Sequence, residues 1–370
     1  MRSSLFPLLA ALSLAPICAS AQSLSFDSPA ALGFINTDKV TEASGIAVSL
    51  KTPNVFWTHN DGSSDHIYAF NYQGALLGDF DFSKNPTDIE DIATGPGPDP
   101  TLRYLYIGDI GSNAAKRDVV HIFRLAEPDV DPAWAAEPVV LSIGKGVENF
   151  ALKYPDGKND AEAMLIDPLQ KVLYIATKQP GESRLYQVAL NALQDGQTRD
   201  LEFVRTIAFS VPSGGAISPD GLTIAIRRED FALAWIRSPA ESVSDALARE
   251  GTVIPVVGTP IEPNGEGISF LPDNSGYLTI SEGANQPVYL FRRQTQTCDA
   301  PRFSAPPAFV ADGLQLTFTA CPNSIIAVER SSALADWQQI GSVTVNNNPA
   351  VYKDIAPTAP GYYRLRVISF

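Results

Sequence analysis

Asp88, Glu90 and Asp91 fall within the six residues DIEDIA at 88–93. Asp and Glu are poor strand formers, and like charges at close range repel, so carboxylates at this density call for compensation. Two kinds of chemistry use such a set. A hard cation such as Ca²⁺ takes six to eight oxygen ligands at about 2.3–2.6 Å. Carboxylates whose environments separate their pKa values can serve as general acid and base. Groups of the same kind recur down the chain: Asp61 in THND, Asp109 in GDIGSN, Glu162 in DAEAML, Glu266 in GEGISF and Glu282 in SEG. Cations stand at comparable places, Lys178 after LYIAT and Arg227-Arg228 after LTIAI. Histidine offers less. There are three, at 59, 66 and 121, and their neighbours do not suggest a three-His zinc site. No His-paired Ser or Cys nucleophile is apparent.

The elements that must position these residues are short strands. From 45 to 294, apolar runs alternate with Gly, Pro, Asn and Asp. Three strand types recur in order. The first reads SGIAVSL (44–50), EDIATG (90–95), EAMLID (162–167), GAISPD (215–220) and EGISFL (266–271). The second reads VFWTHND, YLYIGDIG, VLYIATK, LTIAIRR and YLTISEG, and the third HIYAFNY, VVHIFRL, RLYQVAL, FALAWIR and PVYLFRR. Five such meanders predict an all-β chain built as a β-propeller. The fourth strand is clear at 201–209 and missing after Arg293, where Ala30–Asp38 is placed to close the ring. The stretch 127–159 leaves room for a sixth blade, and 238–251 predicts a helix capped by Ser242 or Ser244 and ended by Gly251.

This repeat predicts where the charged groups meet. In a blade the first strand lines the channel and the second runs antiparallel to it. Starts of first strands and ends of second strands therefore share one rim. Ser44, Glu90, Glu162, Gly215 and Glu266 stand at the starts. His59-Asn60-Asp61, Asp109, Lys178, Arg227-Arg228 and Glu282 stand at the ends. We expect Asp61, Asp109, Glu90, Glu162 and Glu282 to ligate metal, with Asn60 and Asn113 as nearby oxygen donors. Glu90, Glu162, Glu266 and His59 are the candidates for catalysis, and Lys178, Arg227 and Arg228 for holding an anionic substrate. Asp and Asn at strand ends also cap turns through their own backbone. Asp220 in SPDG and Asp273 in PDNSG are read that way.

Bulk properties set the surroundings. Residues 1–21 carry one Arg, an apolar run and an Ala-Ser-Ala cleavage site, the pattern of a secretory signal peptide. The expected location is extracellular or periplasmic, with no membrane span. The chain is 45% hydrophobic and 18% charged, with a formal charge of -14, or -15 once the +1 of Arg2 is removed. That sign repels nucleic acid and anionic membranes and concentrates cations. Cys298 and Cys321 remain after cleavage, an even pair that predicts a disulfide in an oxidising compartment. The propeller is expected over 22–297, a Pro-rich linker over 298–307 and a small β-sandwich over 308–370.

The motifs EASGIA…FWTHND, DIEDIATGPGP…LYIGDIGSN, DAEAMLIDP…LYIATK, GAISPDG…AIRR and GEGISF…ISEG resemble a family of secreted bacterial β-propeller proteins distantly related to phytase-like and esterase-like propellers. The resemblance covers about residues 40–295 and implies a propeller with an acidic, metal-binding rim. No motif of the calcium-using phytases carries over residue by residue. VERSSALADWQQIG followed by PGYYRLRV resembles fibronectin-III-like modules. Three functions fit. A Ca²⁺-assisted hydrolase of a phosphate ester would use metal to polarise the ester and activate water, with Lys178, Arg227 and Arg228 on the anion. A glycoside-cleaving propeller would use Glu90, Glu162 and Glu266, with carboxyls about 5–5.5 Å apart for retention or about 6.5–9.5 Å for inversion. It lacks an evident aromatic platform for sugar. A non-catalytic binding or scaffold protein would keep the acids to hold a structural ion.

Overall fold

A computed structural model describes residues 24–113, 115–294, 300–321, 324–357 and 361–369. They divide into two compact units, Leu24–Arg293 and the segment from Gln294 onward. The proposed signal peptide lies outside the described residues.

Leu24–Arg293 is a five-bladed β-propeller. Blade 1 is Ala43–Val48, Val55–Asn60, His66–Asn71 and Leu76–Asp81. Blade 2 is Asp91–Gly95, Tyr104–Asp109, Val120–Ala126 and Glu148–Lys153. Blade 3 is Ala161–Asp167, Val172–Thr177, Ser183–Ala189 and Glu202–Ile207. Blade 4 is Gly214–Ile217, Thr223–Arg228, Phe231–Ile236 and Thr252–Ile254. Blade 5 is Gly265–Phe270, Gly276–Ser281, Gln286–Arg292 and, from the other end of the chain, Ala30–Ile35. That last strand pairs antiparallel with Gln286–Arg292 and closes the ring. The first strands touch in sequence around the ring, blade 5 against blade 1 included.

The stretch 127–159 forms no sixth blade. Val139–Ser142 extends blade 1 by pairing parallel with Leu76–Asp81, and Glu148–Lys153 is blade 2's fourth strand. Thr198–Asp200 extends blade 2 in the same parallel way. The expected helix over 238–251 is cut to Val243–Leu247, capped by the Ser242 hydroxyl accepting from Asp245 N at 3.0 Å. The chain leaves the helix at Ala248 to reach the strand Thr252–Ile254.

The inner strands are buried on both faces, which suits their small and apolar residues. A Cβ on Gly214 would lie 2.3 Å from the Glu266 carbonyl, so the inner strands of blades 4 and 5 approach as closely as glycine permits. Five apolar clusters fill the five blade junctions. Trp57, Phe80 and Phe123 join blades 1 and 2, and Tyr106, Met164 and Tyr186 join blades 2 and 3. Tyr174, Ile226 and Trp235 join blades 3 and 4. Ala234 and Tyr277 join blades 4 and 5, and Leu278 and Phe70 join blades 5 and 1. Burial of this apolar surface is the main force holding the ring together.

The second unit is a β-sandwich. Gly313–Thr319 pairs with Arg302–Phe303, Ala308–Val310 and Ala350–Asp354, and Ile325–Ser331 pairs with Gln338–Thr344 and Tyr362–Ser369. Leu316, Phe318, Ile326, Val328 and Tyr363 form its core. Arg302–Phe303, inside the stretch expected to be linker, pairs with Phe318–Thr319 instead. Cys321 is buried, and the pairing with Cys298 lies outside the described residues.

Candidate functional site

Asp61 follows blade 1's second strand, and Asp88 and Glu90 precede blade 2's first. A bridge between Gly62 and Ile89, with Ile89 N donating to the Gly62 carbonyl at 2.8 Å, sets these two points side by side. Asp61, Asp88 and Glu90 each offer an oxygen, and the three oxygens lie within 4.8 Å of one another. That is about twice a Ca²⁺–oxygen distance, so an ion between them would reach all three.

Glu90 is 5% exposed, and its carboxylate meets no hydrogen-bond donor among the described residues. Burial, then the fields of Glu162, Asp61, Asp88 and Glu266, push it up to about 11. Asp61 Oδ1 is buried without a partner among the described residues, and burial followed by Asp88 and Glu282 raises Asp61 to about 6. Asp88 is raised by burial, with the Arg117 charge opposing. Glu162, from blade 3, pairs with Lys178 through Oε1 while Oε2 is buried without a partner among the described residues. Burial lifts Glu162 to about 7 against the pull of Lys178. Glu266, from blade 5, is pushed to about 8 by burial, Glu162 and Glu282, with the Ser44 hydroxyl opposing. Glu282 is half-buried and accepts from Asn264 Nδ2 at 2.7 Å. Burial opposes the Lys178 charge, yet Glu162, Glu266 and Glu90 hold its pKa above the ordinary lysine value.

Glu90, Glu162, Glu266, Asp61, Lys178 and Glu282 therefore share one electrostatic neighbourhood. Five other expected residues do not take the roles expected. Asp109 is 2% exposed and saturated: Arg117 Nη1 and Nη2 donate to its two oxygens at 2.7 and 2.9 Å, and Asp88 N donates at 2.8 Å. It has no oxygen left for a metal. Arg227 is fully buried, donating to Glu262 at 3.2 Å and to the Gly267 carbonyl at 3.0 Å, so it clamps blades 4 and 5 rather than a substrate. Arg228 turns to Asp230 at 2.9 Å and lies over the Phe231 ring. His59 is fully buried beneath the rim; its Nδ1 faces the Asn60 carbonyl at 2.9 Å, and burial lowers it to about 4, which keeps it neutral. Asn60 is spent on Thr41 N, Glu42 N and the Lys39 carbonyl.

Several residues of the neighbourhood have no counterpart in the repeat. Gly111 packs directly on the carboxylates: a Cβ there would lie 2.0 Å from Glu90 Oε1 and 2.6 Å from Asp88 Oδ2. Arg117 holds that loop by donating to the Gly111 carbonyl at 2.8 Å, while Asp160 accepts from Ser112 N at 2.7 Å. Asn113 donates to Asp88 at 3.2 Å. Asp91, the last carboxylate of DIEDIA, points elsewhere. It is 2% exposed and accepts from Ile92 N at 2.8 Å and Met164 N at 2.9 Å, with Gly215 as a further backbone donor. Burial holds its pKa well above the carboxylate range. It ties together the inner strands of blades 2, 3 and 4.

No family model matches the chain. Over 199 residues, 52% of its length, it is 26% identical to the Tol-Pal system protein TolB of Nitratidesulfovibrio vulgaris (strain Hildenborough). The match spans 36% of that protein, about a third of its length. The chain is also similar to a solved structure, Kuenenia stuttgartiensis hydrazine synthase, at 15% identity and a TM-score of 0.34, over 77% of this chain and 64% of that one. Among the described residues no helix is long and apolar enough to cross a membrane.

Proposed function

We propose that this is an exported β-propeller whose rim binds one divalent cation, Ca²⁺, at Asp61, Asp88 and Glu90, and that the loaded rim serves recognition outside the cell. The observation that carries the reading is the convergence of three carboxylate oxygens within 4.8 Å around a buried Glu90 side chain that meets no donor among the described residues. A cation supplies the missing counter-charge. All three ligands are oxygens, the donor type that hard cations take. Lys178 is engaged by Glu162, and Arg227 and Arg228 are engaged elsewhere, so the rim has little left to clamp a phosphate ester. This favours cation-dependent binding over phosphate-ester hydrolysis. Export rests on the signal-like residues 1–21. Elemental analysis of protein purified without chelator, followed by calorimetric titration of the stripped protein with Ca²⁺, tests the reading. One equivalent of binding that is lost in Asp88→Asn supports it, and no heat from the wild type ends it.

The second reading is acid–base cleavage of a glycoside. It is favoured by the separation between Glu90, held protonated, and Glu162, drawn toward ionisation by Lys178. Turnover of aryl glycosides in chelator, abolished by both Glu90→Gln and Glu162→Gln, would establish it over the first.

A further inference from the structure

We infer that the face of the propeller opposite the carboxylate rim holds a second ligand site, built for a small apolar carboxylate. A cavity of about 380 Å³ lies where the inner strands end, whereas the carboxylates gather where those strands begin. Each blade contributes the turn that follows its first strand: Leu50, Pro96, Pro168, Pro219 and Pro272 stand around it in blade order. Proline has no N–H and a fixed φ, so four of the five turns present an apolar surface that is already rigid. A rigid wall loses little freedom when a ligand settles on it. Ile166 and Ile217 add to the apolar lining.

Polar surface makes up nearly half of the cavity lining. The Thr94 hydroxyl is turned to the Val48 carbonyl and the Ser218 hydroxyl to Asp220, at 3.3 and 2.6 Å. Arg103 is the charged residue of the lining. Its guanidinium makes no hydrogen bond or ion pair among the described residues, while Arg124, Arg184 and Arg237 of the same propeller are each paired with a carboxylate. An arginine without a partner among the described residues, standing beside this cavity, is a ready partner for an anion. A guanidinium binds a carboxylate through two parallel hydrogen bonds. The volume lies near the lower end of the range for ligand pockets, which suits a ligand of roughly ten heavy atoms. The chemistry indicated is one carboxylate on an aryl or alkyl body.

Calorimetric titration of the full chain with 3-phenylpropionate, and with 3-phenylpropanol as its neutral analogue, tests the inference. We expect saturable binding of the acid at one site. Arg103→Gln should weaken it about tenfold or more and bring it level with the alcohol. Chelator should leave the binding unchanged, which separates this site from the cation site. Absence of saturable binding to the wild type up to about 10 mM, or equal affinity in Arg103→Gln, would overturn it. Arg103 is exposed, so the variant should melt with the wild type. If it does not, the preference of the wild type for acid over alcohol decides, and no preference overturns the inference.

Discussion

Glu90 carries the sharpest conflict on the rim: a buried carboxylate among carboxylates, without a donor among the described residues. In Glu90→Gln, the neutral amide keeps the shape and removes a metal ligand. We expect the Ca²⁺-dependent rise in melting temperature to fall to less than half, with little change in chelator, because metal-free Glu90 is already protonated near neutrality. The pH dependence follows from the same residues. Folding raises Asp61 from 3.8 to about 6, Glu162 from 4.5 to about 7 and Glu266 from 4.5 to about 8. Between each pair of values the folded state holds more protons than the unfolded one, so stability falls as pH rises through that window. Melting in chelator should therefore decline from about pH 4 to about pH 8, and Glu266→Gln should flatten the decline. A melting temperature that rises over this range in chelator would contradict the assignment.

The loop from Asp109 to Arg117 and the inner strands are the elements that hold the site. Gly111 accepts contact with two carboxylates that no Cβ would permit, so Gly111→Ala should displace Glu90 and Asp88. Calorimetry should show Ca²⁺ binding weakened about tenfold or more, with far-ultraviolet circular dichroism unchanged. Asp91→Ala would leave the Ile92 and Met164 amides without an acceptor, at about 1–3 kcal/mol for each group, measurable by urea unfolding. This is also the scale at which sequence reasoning succeeded and stopped. Strand order was legible because SGIAVSL, EDIATG and their relatives repeat a pattern, and repetition aligns Glu90, Glu162 and Glu266 without coordinates. Asp88 was visible in DIEDIA but stands before the strand, outside the register that selected the others. Arg117 lies in a loop with no counterpart in other blades, so its capture of both Asp109 oxygens left no periodic trace. Arg227 and Arg228 had the right position along the strand, but a strand position does not tell which neighbour an arginine will find.

At the scale of the molecule, five apolar junctions and a few buried ion pairs hold the ring. Arg227 and Glu262 are both fully buried, and removing one partner of such a pair costs about 3–5 kcal/mol because the other charge is left uncompensated. Arg227→Met should therefore destabilise the propeller by that amount in urea unfolding, without altering Ca²⁺ binding. The central claim, that a divalent cation completes the carboxylate rim, meets its most direct test in the melting temperature of the full chain with Ca²⁺ and with chelator. An ion held only by the folded state adds about 2.7 kcal/mol at a hundredfold excess over its dissociation constant. The account predicts a clear upward shift in Ca²⁺ that Glu90→Gln and Asp88→Asn both diminish; identical melting temperatures in Ca²⁺ and chelator would contradict it.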